Sequence, residues 1–395
     1  MPPPIAIEQP EFLRQKPVQP KTALPWGCAI CDTKEDLKTC TACGVLSYCS
    51  RDHQIEHRKA HKELCNYVKQ TRAAVEDTHA RLGPSPHDPS LPNVRRLLTE
   101  RQFEADRKKY FVASFNLQEC MERVYTERSV RAALEMSKLA RLYLPDNYLA
   151  CGLVSALWIR LDEDEEVYGF IKSWYLWEES ENHPPGQMAP TPIKNPDILE
   201  DVDFFLGVEA RFMDGTDTVT FLLSLTLLKI KILLDLKDLH QARQVIGPKV
   251  PQEVLDEILA KIPRSSSIKA NRRIMRNPDL SAEIAKLDTQ VDSLYKKIRQ
   301  TNFFWWRTLV DRPLDAINTV VTRSHGGAPA EYGSPLEAAI WLTQKTQRFC
   351  WNETPGALDF LREKNSNFTL PRLSETHRVY GRGADELVSA LYNSQ

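Results

Sequence analysis

Six of the nine cysteines and three of the nine histidines in this chain lie between Cys28 and Cys65. Eight of these side chains follow one another as Cys28-x2-Cys31-x8-Cys40-x2-Cys43-x5-Cys49-x3-His53-x7-His61-x3-Cys65. A segment of about forty residues buries too little apolar surface to fold without help. Its fold is therefore expected to depend on cross-links that these side chains supply.

The clustered cysteines are expected to bind metal rather than to form disulfides. The N-terminal sequence MPPPIAIEQPEF has no basic region followed by an apolar stretch, so no secretory signal is predicted. The most apolar run, residues 221–236, contains Lys229, Lys231 and Asp235, and no membrane-spanning helix is predicted there. We therefore expect a protein of the nucleus or cytoplasm that is not secreted, where a reducing environment favours metal-bound thiolates.

The donors come in pairs that suit Zn²⁺. A C-x2-C turn, such as the one that starts at Cys28, places two sulfurs on one side of an ion. Donors four residues apart on a helix, as at Cys49 and His53, lie on one face. Zn²⁺ takes four such donors, so eight donors predict two ions, with no open position for a catalytic water. The zinc is thus expected to be structural and to contribute on the order of 10 kcal/mol to folding.

The rest of the chain has the periodicity of α-helices. Apolar residues recur at helical spacing from about 94 to 180, at 217–243 and at 280–300. The helix at 217–243 is apolar on two sides and is expected to lie between other helices. We therefore predict a mainly α fold: a small N-terminal two-zinc finger and a large all-α body of helical hairpins, with TPR-like repeats as one arrangement of the hairpins.

Proline-rich segments mark the expected domain boundaries. We predict a disordered proline-rich arm at 1–25, the finger at 26–66, a helix and linker at 67–93, and an all-helical domain at 94–395 with a proline-rich loop at 183–196.

The charges of the chain are balanced, with 52 Lys and Arg against 53 Asp and Glu. This excludes a chain-wide basic field, and direct nucleic-acid binding is not expected. The acidic run at 162–166 is interpreted as the first turn of a helix, where the helix dipole favours negative charge. A local exception is a segment without acidic residues that suits a nuclear-import signal, a phosphate-contacting patch or a solvated linker and helix start. Its basic residues are Lys261, Arg264, Lys269, Arg272, Arg273 and Arg276.

The cysteine-rich segment resembles the MYND-type zinc finger. The resemblance covers about 40 of the 395 residues and rests on the spacing, on Tyr48-Cys49, on Gln54 and on the ending His61-Lys-x2-Cys65. In that family the donor pairs interleave, which implies one site of Cys28, Cys31, Cys49 and His53 and a second of Cys40, Cys43, His61 and Cys65.

The sixth ligand departs from the family pattern, which usually has cysteine at the position of His53. Imidazole is a good zinc donor, so each site is expected to hold three thiolates and one imidazole. His57 lies on the same helical stripe and is the alternative ligand, although the family register favours His53.

MYND fingers act as protein-interaction modules, and several bind short proline-rich peptides beside a Gln and a Trp. Gln54 matches this pattern, but Arg58 stands where the family usually has Trp, so an aromatic platform for proline is missing. Arg58 either favours an acidic partner or is a solvated surface residue. The resemblance implies a non-enzymatic adaptor or regulatory protein that recruits a protein or peptide partner, with Gln54 and Arg58 as candidate contacts.

Two alternative functions are open. Some MYND fingers are inserted in SET-type lysine methyltransferases, but the Asn-His-Ser-Cys motif, the Gly-Glu-Glu stretch and the trailing cysteine cluster of those enzymes are missing from this sequence. A DNA-binding regulator needs a basic face, and the finger carries as many acidic as basic residues. Segments 140–174, 218–236 and 351–361 also resemble uncharacterised fungal proteins that join a MYND finger to a helical region, which implies no activity.

Overall fold

The computed structural model describes residues 24–31, 33–82, 100–124, 126–143, 148–180, 190–207, 216–301, 306, 309–310 and 347–365. These residues contain two short strands and thirteen α-helices. The prediction of a mainly α protein with a small N-terminal finger is therefore confirmed. In this part of the chain, every helix is too short or too polar to cross a membrane.

The elements are numbered in chain order. The strands are β1 (Lys38–Thr39) and β2 (Ser47–Tyr48), which pair antiparallel. The helices are α1 (Arg51–Leu82), α2 (Glu100–Val124), α3 (Glu127–Tyr143), α4 (Tyr148–Arg160), α5 (Asp164–Glu179), α6 (Asp203–Gly207), α7 (Thr216–Val245), α8 (Gln252–Lys261), α9 (Ser266–Ala270), α10 (Arg272–Arg276), α11 (Ser281–Thr301), α12 (Arg348–Glu353) and α13 (Ala357–Asn365).

The finger and helices α1–α4 form one compact unit, and helices α5–α13 form another. In the first unit, α1 packs on α2, α2 on α3 and α3 on α4. Tyr67 and Val68 of α1 and Tyr110 and Leu117 of α2 are among its buried side chains. These four helices span 32, 25, 17 and 13 residues, and the TPR-like period stays a prediction.

Helix α1 joins the finger to the helical body. It begins inside the finger at Arg51 and continues without interruption to Leu82. The predicted boundaries near 66 and 93 stay predictions, because residues 83–99 lie outside the described part of the chain. The predicted arm at 1–25 also lies largely outside it, and so does the first half of the predicted loop at 183–196; residues 190–196, the described half of the loop, form neither helix nor strand.

Helix α7 is the centre of the second unit. It confirms the helix predicted at 217–243, and it packs on α5, α8, α11 and α13. Its apolar side chains from Val219 to Leu239 are buried, apart from a half-buried Leu234. A helix that is buried on several sides must pack against other helices on each of those sides, as the two apolar stripes of this helix predicted.

Three charged residues of α7, Lys229, Lys231 and Asp235, are buried as well, and each has fixed partners. Lys231 donates to Asp162 and, over 2.8 Å, to Asp164 in the first turn of α5. Asp235 accepts hydrogen bonds from the backbone N–H groups of Arg264 (2.9 Å) and Ser265 (2.8 Å). Burial opposes the charge of Lys231, but the two carboxylates outweigh it and raise the pKa of the ammonium group. These pairs connect α5 and α7 with the residues that precede α9.

Replacing Lys231 by Met should destabilise this second unit. The change leaves Asp164, which is fully buried, without its cation, at a cost of about 3–5 kcal/mol. Denaturant unfolding followed by circular dichroism measures this loss. The exposed Lys237 of the same helix, 3.8 Å from Asp288, provides the control, and Lys237→Met should cost less than about 1 kcal/mol. Equal effects of the two substitutions would contradict the structural role of the buried pair.

Candidate metal centre

Two tight turns present the first four cysteines. In the first, the N–H of Cys28 donates to the carbonyl of Thr33 (2.8 Å), and the N–H of Ala29 donates to Ser47 of β2 (2.9 Å). In the second, the N–H of Cys40 donates to the carbonyl of Leu46 (2.8 Å). The strands β1 and β2 thus hold the two turns at fixed positions relative to each other.

Gly44 closes the second turn. Its N–H donates to the carbonyl of Cys40 (2.8 Å), and its φ of +71° is one that residues with a side chain rarely adopt. The guanidinium of Arg72 donates to the carbonyl of Cys43 and would lie 3.2 Å from a Cβ at Gly44. Glycine at this position therefore allows a residue of α1 to approach and brace the turn.

Helix α1 supplies the remaining donors except Cys49, which lies two residues before its first residue, Arg51. The helix starts after Ser50, whose Oγ accepts a hydrogen bond from the N–H of His53 (3.2 Å), as a helix-capping serine does. From this cap, His53 lies in the first turn, and His61 and Cys65 follow on later turns. The cap thereby fixes the rotation of the helix and the direction in which its donors face.

The structure brings the eight predicted donors together in two groups, each with its donor atoms within 4.8 Å of one another. Cluster 1 consists of Cys28, Cys31, Cys49 and His53. Its Cys31 and Cys49 sulfurs are 3.5 Å apart, and Nδ1 of His53 is 3.4 Å from Cys28 and 3.3 Å from Cys49. The first turn and the start of α1 thus enclose one site.

Cluster 2 consists of Cys40, Cys43, His61 and Cys65. The sulfurs of Cys40 and Cys65 are 3.7 Å apart, and Nε2 of His61 is 3.4 Å from the sulfur of Cys43. All four side chains are buried, whereas Cys31 of cluster 1 is exposed and its Cys49 and His53 are half-buried. Cluster 2 is therefore the enclosed site and cluster 1 the accessible one.

These separations fit tetrahedral zinc. With Zn–S distances of about 2.3 Å, the edge of the tetrahedron is about 3.8 Å, and an edge between sulfur and nitrogen is slightly shorter. The groups have the interleaved composition that the MYND resemblance implied. The two clusters suit zinc binding, and the role of each side chain as a ligand stays a prediction that this geometry supports.

The ionisation of the thiols also favours a bound cation. Burial opposes ionisation of Cys28, but hydrogen bonds from backbone N–H groups, that of Ile30 foremost, lower the pKa of this thiol to about 6. The hydrogen bond with Cys31 raises the pKa of Cys49 to about 11, and burial raises that of Cys65 to about 12. Neighbouring thiolates oppose each other's charge, so three of them in one cluster require a positive ion among them. Burial lowers the pKa of His61, which keeps its imidazole neutral and able to coordinate.

The two histidines face their clusters through different ring nitrogens. His61 uses Nε2, whereas His53 uses Nδ1, the nitrogen nearer to the backbone. Of the two ring nitrogens, Nδ1 is separated from the backbone by fewer bonds, as the sulfur of the usual cysteine is. His57 belongs to neither cluster. Its Nδ1 lies 3.1 Å from the hydroxyl of Tyr48, and its ring stacks on His61.

The finger also contacts the start of α3. The hydroxyl of Thr126 donates to the carbonyl of Val45 (3.0 Å), and the N–H of Glu127 donates to the carbonyl of Pro25 (2.9 Å). Thr126 and Ser129 cap this helix reciprocally, each side chain accepting from the other's N–H (3.1 and 3.0 Å). A helix of the body thus contacts the finger before its first turn, at Pro25, and after its second turn, at Val45.

The comparison with known families agrees with this geometry. The family model described as MYND finger matches residues 28–65. Residues 28–65 form a MYND finger. It is a zinc-binding, protein-interaction domain, and the sequence-based resemblance to this family is confirmed. No curated protein and no solved structure matches the chain.

The two candidate partner contacts, Gln54 and Arg58, are exposed on α1 of the MYND finger. Ile55 lies between them and is 59% exposed, a large value for an apolar side chain. Sequence reasoning missed Ile55, because the periodicity of apolar residues does not show whether an apolar side chain is covered by another element or exposed. It also missed Ser50 and the Thr126–Ser129 pair, which the preference of helix starts for Ser and Thr could have indicated. No local signal pointed to Arg72.

We predict that the chain binds two zinc ions and releases them in two phases. A chelator reaches the exposed cluster 1 before the buried cluster 2, so one ion should leave at least about tenfold faster than the other. Mixing with a coloured zinc chelator measures both phases. His53→Ala should remove the fast phase and leave about one ion per chain by elemental analysis. Loss of the slow phase in this variant would contradict the assignment.

Cys40→Ser should unfold the MYND finger and loosen the helices that brace it. With cluster 2 lost, Arg72 and Thr126 lose their acceptors at Cys43 and Val45, which should destabilise this unit by about 1–3 kcal/mol beyond the loss of the finger itself. Hydrogen exchange read by mass spectrometry should show faster exchange in α1–α3 and unchanged exchange in α7. Cys350→Ser, in α12, is the matched control and should leave α1–α3 unchanged. If exchange in α1–α3 stays slow in Cys40→Ser, the contacts of Arg72 and Thr126 with the finger do not stabilise these helices.

Proposed function

We propose that this chain is a non-enzymatic adaptor that recruits a protein partner through its MYND finger. The observation that carries the proposal is an exposed face at the start of α1, directly ahead of residues that belong to cluster 2. Gln54, Arg58, His61 and Cys65 follow at steps of four, three and four, so they lie along one side of the helix. The first two are exposed, and the last two are buried among the cluster 2 donors.

This face combines the three kinds of contact that peptide recognition uses. Gln54 offers an amide that both donates and accepts, Ile55 offers an apolar side chain, and Arg58 offers a cationic fork. Ile55 and Arg58 are three residues apart and therefore neighbours on the helix surface. We call Gln54, Ile55 and Arg58 the finger platform. Since Arg58 replaces an aromatic residue, the platform favours a segment with an acidic and an apolar side chain over a purely proline-rich one.

We also propose that the zinc ions perform no turnover. Each cluster has four protein donors, which fill a tetrahedral ion and leave no position for water or substrate. The thiols must stay reduced for this, so we place the protein in the nucleus or cytoplasm. Incubation of the purified protein with S-adenosylmethionine and protein substrates should release no S-adenosylhomocysteine, and release would favour the methyltransferase alternative.

Arg58→Glu tests the finger platform without touching zinc. Reversal of one exposed charge at the centre of a small interface should weaken partner capture by at least about tenfold. Affinity capture with the full-length chain, quantified by mass spectrometry, measures this loss. Zinc content should stay at about two ions per chain, because Arg58 belongs to neither cluster.

Lys59→Glu is the matched control. It changes the net charge of the chain by the same amount, and position 59 is exposed but turned by about 100° around the helix from Arg58. Partners that are lost in Arg58→Glu and kept in Lys59→Glu bind the finger platform. If both variants retain every partner of the wild type, recruitment through this platform is wrong.

A further inference from the structure

Five exposed cations lie on the consecutive helices α8, α9 and α10 in the unit formed by α5–α13. They occur in a segment, residues 258–278, that contains no acidic residue. None of the five forms an ion pair with a described residue. We call this set the basic surface: Lys261 at the end of α8, Lys269 in α9, and Arg272, Arg273 and Arg276 in α10.

Packing and capping fix the conformation of this segment. Ile268 and Ile274 are fully buried and anchor α9 and α10. Asn271 caps α10 by accepting from the N–H of Ile274 (3.1 Å), and Arg243 of α7 donates to the carbonyl of Met275 (2.8 Å). A nuclear-import signal read as an extended peptide would require both helices to unfold, so the structure disfavours that interpretation of the segment.

The sixth basic residue of the segment, Arg264, differs from the other five because acidic side chains neutralise it. Arg264 donates to Asp235 (3.2 Å) and Asp238 (3.1 Å). None of the five cations of the basic surface forms such a pair with a described residue; Asp162, whose carboxylate Lys269 influences, is already paired with Lys231. Four of the five cations lie within residues 269–276, so their fields add within about one Debye length of the surface.

We propose that the basic surface binds a short acidic segment of a protein partner. Arg272 and Arg276 are one helical turn apart, and Arg273 lies next to them, so α10 presents a group of guanidinium forks that suit carboxylates. The proposal goes beyond the finger platform, because it concerns a different surface in a different compact unit of the chain.

The same observations disfavour a nucleic acid. The segment 258–278 contains no Phe, Tyr or Trp on which bases could stack. Asp279 follows directly, Glu283 lies four residues further on, and Asn277 donates to Glu283 (3.2 Å), so acidic groups border the basic surface. A long, uniformly charged duplex would run over these carboxylates, whereas a short acidic peptide ends before them.

Fluorescence anisotropy of a labelled decaglutamate peptide tests this proposal with the zinc-loaded full-length chain. The variant Arg272→Gln/Arg273→Gln/Arg276→Gln should bind the peptide at least about tenfold more weakly at low salt. The control Lys108→Gln/Lys286→Gln/Lys296→Gln removes the same charge at exposed positions on α2 and α11 and should change binding by less than about twofold. Circular dichroism confirms that both variants are folded.

Three results would overturn the proposal. Equal weakening in both triple variants would mean that only net charge matters, and unchanged binding in the arginine variant would place the peptide elsewhere. Tighter binding of a DNA duplex than of the peptide, lost in the same arginine variant, would assign the surface to nucleic acid. Cys40→Ser should keep peptide binding, which separates a failure of this proposal from a failure of the finger platform.

Discussion

The grouping of sulfur and imidazole donors in two clusters that suit tetrahedral zinc is the constraint on which the MYND finger depends. The finger buries only a few apolar side chains, Val45, Leu46 and Tyr48 among them, so a hydrophobic core alone does not hold it together. Two groups of donors at the edge lengths of a zinc tetrahedron connect both turns with the start of α1. The direction of each donor then fixes the position of the strands and the rotation of the helix, because metal bonds are directional and hydrophobic contacts are not.

The finger is part of a larger unit rather than an isolated module. Helix α1 begins among the candidate donors and runs for 32 residues into the helical body. Arg72 reaches back to the second turn, and Thr126 reaches the loop that follows it. These contacts hold the finger platform on a scaffold of packed helices, and a rigid scaffold lowers the entropic cost of binding a flexible partner. The recruitment that we propose for the finger would thus gain from a helix, α3, that is far from it in sequence.

Directional interactions also fix the packing of the second unit, where hydrogen bonds and ion pairs of buried charged side chains take the role that metal coordination has in the finger. Lys229 donates to the carbonyls of Ile198 and Glu200, 2.8 Å from each, and burial lowers the pKa of this ammonium to about 7. Lys231 and Asp235, two and six residues further along α7, have equally fixed partners. Such groups add little net stability compared with apolar residues, but an alternative register of α7 would leave them unpaired at a cost of several kcal/mol. The charges that excluded a membrane span in the sequence therefore specify how this helix packs.

The sequence by itself determined what depends on short-range spacing. The eight donors, their arrangement as pairs, the mainly α composition and the helix at 217–243 all follow from residues within a few turns of one another, where periodicity and ligand distance are set by local geometry. Spacing alone left the partner of each pair open, and only the family resemblance indicated how the pairs interleave. Tertiary structure decided that His53 rather than His57 faces cluster 1, and that Arg72 and Thr126 brace the finger. It also decided which side chains stay exposed or unpaired: Ile55 is exposed, and Arg264 is neutralised by an acidic partner while the basic surface is not. These outcomes depend on contacts between residues far apart in the chain, whose energies are fixed only once every element has packed.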